Sequence, residues 1–224
     1  MMAIVIGCLF GVAQGMRHAL EPDHVTAVST LVAGQSTWRR ILSFAAVWGL
    51  GHALTLVVVG GALALFHARM PTTVADVFEL VVAVMLVALG ARGLLRARDL
   101  RRHAGGAHPV HAHTHATNAQ PLGVGIVHGL AGSGALAAVA AATFPSRDAG
   151  VAFIGVYALG AALGMVLLAG AAVFPLAHFA RSTRASVVLM AAAGLFSIAL
   201  GVAWGWPILL HLTESAAATA SAAR

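Results

Sequence analysis

Long apolar runs separated by short polar segments dominate the chain. Six runs stand out, roughly 2–34, 41–66, 74–95, 121–143, 150–176 and 186–210. A spanning helix needs about 20 mostly apolar residues, so each run is predicted to cross a bilayer. Between them lie QSTWRR, HARMPTT, a basic and histidine-rich segment at 96–120, PSRD and HFARSTR. The Ala/Ser-rich tail after Leu212 is expected to fray. The pattern predicts an all-α polytopic membrane protein, with 1–224 forming a single transmembrane domain.

The first run is too long for one straight helix. At ~1.5 Å per residue its length would be roughly 50 Å, against a hydrocarbon core of ~30 Å. Pro22 supplies a break, because its ring clashes with the carbonyl of His18 and it has no N–H to donate. Two half-helices meeting at 18–24, near the membrane midplane, are expected. Polar groups gather at that break, in the run HALEPDH.

Composition agrees with the pattern. Hydrophobic residues make up 60% of the 224 residues and charged residues 9%, where a soluble domain is about a quarter charged. Mean hydropathy is +0.91. The net charge of +6 comes from 13 Arg and no Lys. These Arg lie between apolar runs, so they read as orientation signals and not as a nucleic-acid surface. Arg39, Arg40, Arg92, Arg96, Arg98, Arg101, Arg102, Arg181 and Arg184 fall in odd-numbered loops, nine in all. Arg69, Arg147 and Arg224 fall on the other side, three in all, with Arg17 inside the first run. The positive-inside rule then puts the odd loops in the cytoplasm and both termini outside. Cys8 stands alone and forms no internal disulfide. The N-terminus lacks the basic region of a cleavable signal.

The two halves of the chain are similar. At an offset of 110, Gly15, His18, Leu20 and Ala27 match Gly125, His128, Leu130 and Ala137. At 109, Leu50, Gly51, Ala53 and Leu54 match Leu159, Gly160, Ala162 and Leu163, and at 111, Ala88–Gly90 match Ala199–Gly201. Repeat one covers about 2–95 and repeat two about 121–212, joined by the cytoplasmic histidine-rich loop at 96–120. Three spans per repeat inverts the second relative to the first, an architecture recurrent in transporters, with sites formed by discontinuous helices. Asp23 and His24 align with Ser133 and Gly134, so a ligand set drawn from both repeats is asymmetric.

Ionisable groups at mid-membrane mark function. On an intact helix, Asp23 and His24 would point about 140° and 120° away from His18. A helix unwound at Pro22 lets all three turn inward. His52 and His128, near the middles of spans 2 and 4, add two imidazoles at similar depth; for His128 a hydrogen-bonded structural role is the alternative. Imidazoles with one carboxylate suit Ni(II) or Co(II), and Zn(II) is also compatible. The expected metal ligands are His18, Asp23, His24, His52 and His128. Glu21 helps attract the ion, Glu79 is expected at the interface, and Met165 and Tyr157 are expected to pack. His103, His108, His111, His113 and His115 read as a metal-collecting loop, with a histidine-rich linker as the alternative. Glycines in spans 2, 4 and 5 are expected to let helices approach closely.

GMRHALEPDHVTAVSTLV at 15–32 resembles the signature of the nickel/cobalt transporter family, a His, four residues, then Asp and His in one transmembrane helix. GLGHALTLVVV at 49–59 resembles that family's following helix, and VHGLAGSGAL at 127–136 resembles its short six-span members, the urease-accessory and nickel permeases. The resemblance implies that His18, Asp23 and His24 select the metal and that His52 contributes. It implies a secondary permease of the cytoplasmic membrane moving Ni(II) or Co(II), with uptake for a nickel enzyme leading. Nickel-enzyme maturation proteins are the implied partners. The alternatives are efflux of the same ions, which histidine-rich loops accompany in some relatives, and a metal accessory protein without transport. HExxH and the histidine boxes of membrane desaturases are absent, so no enzyme, catalytic residue or fixed cofactor is expected.

Overall fold

A computed structural model describes residues 2–32, 37–66, 68–103, 119–144, 146–179 and 182–222. They form seven helices, and no strand occurs among the described residues. In chain order these are α1 (Met2–His18), α2 (Pro22–Val32), α3 (Trp38–Leu65), α4 (Thr72–His103), α5 (Ala119–Thr143), α6 (Arg147–Phe179) and α7 (Thr183–Ala222). Helices α3 to α7 are each long and apolar enough to cross a membrane, which makes this a membrane protein. The first run splits into α1 and α2, of 17 and 11 residues. Of the expected histidine-rich cluster 103–115 only His103, at the end of α4, is among the described residues; His108, His111, His113 and His115 fall outside them.

Helix ends follow local chemistry. Ser146 and Ser182 cap α6 and α7 by accepting from the Ala149 and Ala185 N–H at 3.3 and 3.4 Å, satisfying donors that a helix start leaves free. Two helices outrun their expected spans. Helix α4 continues through Arg96, Arg98, Arg101 and Arg102, since Arg is a good helix former and cations suit a helix C-terminus. The tail expected to fray after Leu212 instead continues α7 to Ala222. Alanine favours helix, and the Thr213, Ser215 and Ser221 hydroxyls donate to carbonyls three residues back at 2.8–3.0 Å. The His211 imidazole, 2.9 Å from the Asp76 carboxylate, also ties this part of α7 to the start of α4.

The chief packing pairs are α1 on α6, α3 on α5, α3 on α6, and α4 on α7. Contacts run in the same sequence direction for α1/α6 and α3/α5, and in opposite directions for α3/α6 and α4/α7. Small residues set these approaches. A Cβ on Gly15 would strike the Tyr157 carbonyl and the Ala161 amide nitrogen. A Cβ on Gly125 would strike the Trp48 carbonyl and the His52 amide nitrogen. Between α4 and α7, Gly90 faces the Gly194 carbonyl and Gly201 the Ala83 carbonyl, and the buried Ser197 hydroxyl donates to the Leu86 carbonyl at 2.7 Å.

Two apolar layers result. One holds Ala27, Val28, Ile41, Ala45, Trp48, Leu86 and Met165. The other holds Leu56, Ala64, Leu136, Ala140, Phe153 and Ile154. By their order along the helices, the first lies toward the face where α2 ends and α3 begins. The second lies toward the face where α3 ends and α4 begins. A polar cluster is buried between them.

Candidate metal centre

The centre begins where α1 stops. The Leu20 N–H donates to the Arg17 carbonyl at 2.9 Å and the Glu21 N–H to the His18 carbonyl at 3.0 Å. These bonds span three residues, the tightened turn common at helix ends. The Val25 N–H then donates to the Glu21 carbonyl at 3.0 Å, opening α2. Pro22 is thus the first helical residue of α2, where a missing N–H costs nothing and its fixed φ is favourable. Asp23 follows in the first turn, where a helix favours negative charge.

All five predicted residues come together. The His18 and His24 rings are 4.6 Å apart between centroids, His18 and His52 5.3 Å, His24 and His52 5.1 Å, and His24 and His128 4.8 Å. Asp23 lies 3.0 Å from His24 Nδ1 through Oδ1 and 3.7 Å from His128 Nε2 through Oδ2. Asp23, His24, His52 and His128 are buried, and His18 is nearly so. Their potential ligand atoms form two trios: His18, His24 and His52, and Asp23, His24 and His128. Within each trio the atoms lie within 4.8 Å of one another.

Two imidazoles have one nitrogen engaged and the other free. His18 Nδ1 is 2.9 Å from the Glu21 carboxylate, which leaves Nε2 buried without a partner. His128 Nδ1–H donates to the Val124 carbonyl at 3.3 Å, which again leaves Nε2 buried and unpartnered. A carboxylate or carbonyl on one ring nitrogen fixes the tautomer and turns the other lone pair outward, as in metal-bound histidines. Both nitrogens of His24 and of His52, and Asp23 Oδ1, also lack a well-aligned hydrogen bond. Leaving a buried polar group unpaired costs about 1–3 kcal/mol. Six ring nitrogens in that condition at one place fit a cation as their partner.

A cavity of about 500 Å³ reaches the cluster. His18, Asp23, His24 and His128 line it, whereas His52 does not. It runs past Tyr157 and Phe153 toward Phe10 and Val139, that is, toward the face where α3 ends and α4 begins. Glu21 and Glu79 line it as well. Glu79, expected at the interface, lines the cavity wall from its position near the start of α4. Met165 packs in the apolar layer as expected. Tyr157, expected to pack, also has its ring 5.7 Å from that of His18.

Trp48 was missed in the sequence reading. Its indole stacks 5.7 Å from His24 and meets His128 edge-on at 5.7 Å. Its position one turn before His52 is the signal that could have marked it. Ser133, buried at the position matching Asp23, donates its hydroxyl to the Gly129 carbonyl.

The chain is 29% identical over 199 residues to urease accessory protein UreH of Bacillus sp. (strain TB-90), covering 86% of this chain and 87% of that protein. It is 27% identical to two Arabidopsis thaliana chloroplast proteins, FOR GROWTH AND FERTILITY 1 and 2, over 169 and 167 residues. Each alignment covers 69% of this chain, which spans 46% and 44% of those two proteins. No family model matches the chain, and no solved structure matches it.

Proposed function

We propose that this chain is a secondary permease that moves Ni(II), or Co(II), across the cytoplasmic membrane, and that His18, Asp23, His24, His52 and His128 bind the ion in transit. The observation that carries the proposal is the convergence of four imidazoles and one carboxylate at a helix break, with six of the eight ring nitrogens lacking a hydrogen-bond partner. Four nitrogen donors with a single carboxylate suit late first-row divalent ions better than Mg or Ca. Similarity to a protein named for urease, a nickel enzyme, agrees with that cargo. It also agrees with a supply role beside nickel-enzyme maturation proteins.

In this proposal the spans are two inverted three-helix repeats within one domain. The packing supports it. Exchanging residues by 109–111 turns the Gly15–Tyr157 contact into Gly125–Trp48. The same exchange turns Gly90–Gly194 into Gly201–Ala83, and the His18–Tyr157 ring pair into His128–Trp48. Alternating access then follows from rocking of one repeat against the other.

The termini lie outside, by the Arg distribution, and the histidine-rich loop is cytoplasmic. The cavity opens toward the outer face, which favours uptake. An inside-negative potential of 100 mV contributes ~2.3 kcal/mol per charge, about 4.6 for a divalent ion. Efflux of the same ions is the second reading, favoured by the five histidines at 103–115.

Nickel content of cells expressing the wild type and His18→Ala separates these. Uptake raises cellular nickel in the wild type and leaves the variant at background. Efflux lowers it below background in the wild type. Equal nickel in wild type, variant and empty cells refutes transport.

A further inference from the structure

The five side chains do not converge on one point. They form two trios that have only His24 in common. Their chemistry differs: one is two imidazoles and a carboxylate, the other three imidazoles. Their access differs too. Asp23, His24 and His128 all line the cavity, whereas the second trio includes His52, which is fully buried behind that wall.

From this juxtaposition we infer that the ion occupies two successive positions: first Asp23, His24 and His128, then His18, His24 and His52, with His24 bound throughout. The inference rests on the cargo proposed above and adds the order of its ligands. A divalent ion leaving solvent meets the carboxylate trio first, because a negative ligand offsets more of the cost of losing water. Passing to the neutral trio exchanges Asp23 and His128 for His18 and His52. Keeping one ligand throughout means that the ion is never bare in a low-dielectric interior. His24 can serve both positions because its two ring nitrogens are both buried and neither makes a well-aligned hydrogen bond. The second position lacks a carboxylate ligand, so it holds the ion more weakly and lets it leave. Glu21, on His18 Nδ1, keeps the His18 Nε2 lone pair turned toward that position.

Co(II) alone, titrated into the purified full chain, tests the inference, because its visible spectrum reports the donor set. His52→Gln and His128→Gln are compared with His24→Gln, and each is also made as Ala so that a poorly folded variant has a substitute. Wild type binds one ion per chain. The variants at 52 and 128 each retain binding but give different spectra, oxygen-containing for 52 and nitrogen-only for 128. Losing an outer partner of a ligand already costs about 10–100-fold in affinity, so the His24 variants, which disable both positions, lose at least 100-fold. In vesicles, the variants at 52 bind cobalt and do not pass it on. One common spectrum and equal losses at 52 and 128 overturn the two-position order while leaving the cargo intact. A wild type that binds neither Co(II) nor Ni(II) overturns the cargo itself.

Discussion

Glu21 belongs to neither trio, yet its carboxylate sits 2.9 Å from His18 Nδ1, and it is half exposed in the cavity. At that spot it can steady a ligand and attract a cation. Glu21→Gln removes the charge at nearly constant shape. We expect the cobalt affinity of the purified chain to fall about 10–100-fold, the usual loss when an outer partner of a ligating histidine goes. Glu21→Asp should recover part of it. An unchanged affinity in Glu21→Gln would mean that His18 needs no such partner. At this scale the sequence was informative about identity: His18, Asp23, His24, His52 and His128 stand out as polar groups within apolar runs. That Glu79 faces the cavity was not legible, because depth along a span says nothing of which way a helix faces.

At the scale of elements, the break between α1 and α2 was legible because proline acts locally. Its consequence is that Asp23 and His24 leave the direction an intact helix would give them. Pro22→Ala removes a bias of about 3 kcal/mol against continuous helix. The turn at 19–21 then competes with an uninterrupted helix that parts His18 from Asp23. Circular dichroism should show helix content unchanged or raised, while cobalt affinity falls tenfold or more, about 1.4 kcal/mol. Full affinity in Pro22→Ala would show that tertiary packing alone holds the break. A second irregularity was not legible. Residues Leu56–Gly60 form a π-helical turn within α3, directly after the Thr55 hydroxyl donates to the Gly51 carbonyl at 2.9 Å. Back-bonding hydroxyls bend helices, and π turns gather near functional sites. Nothing in LVVVG departs from an ordinary apolar helix.

At the scale of the whole molecule, the site depends on two helix pairs approaching closely enough for their backbones to touch. Gly125 lies on the Trp48 carbonyl and the His52 amide, so a methyl group there pushes His52 from its place. Gly123, two residues away, has open space around its Cβ position. Gly125→Ala should destabilise the protein by ~1–3 kcal/mol, as overpacking does, and Gly123→Ala by no more than about 0.5. Thermal unfolding in detergent measures both; equal melting temperatures would refute the close approach. In Gly125→Ala protein that remains folded, cobalt binding should also weaken, because the displaced residue is one of the proposed ligands.

The helices, the membrane setting, the break at Pro22 and the candidate ion-binding residues were legible in the sequence alone. These depend on hydropathy, on the missing proline N–H and on side-chain chemistry, all local properties. Tertiary structure decided which groups meet. It divided the five candidate ligands into two trios around His24, set Trp48 against two of them, and brought Glu79 into the cavity wall. It also paired His211 of α7 with Asp76 of α4 across the bundle. The rotation of each helix about its axis follows from where small residues let neighbours approach. Apolar composition, nearly uniform around these helices, does not encode that rotation.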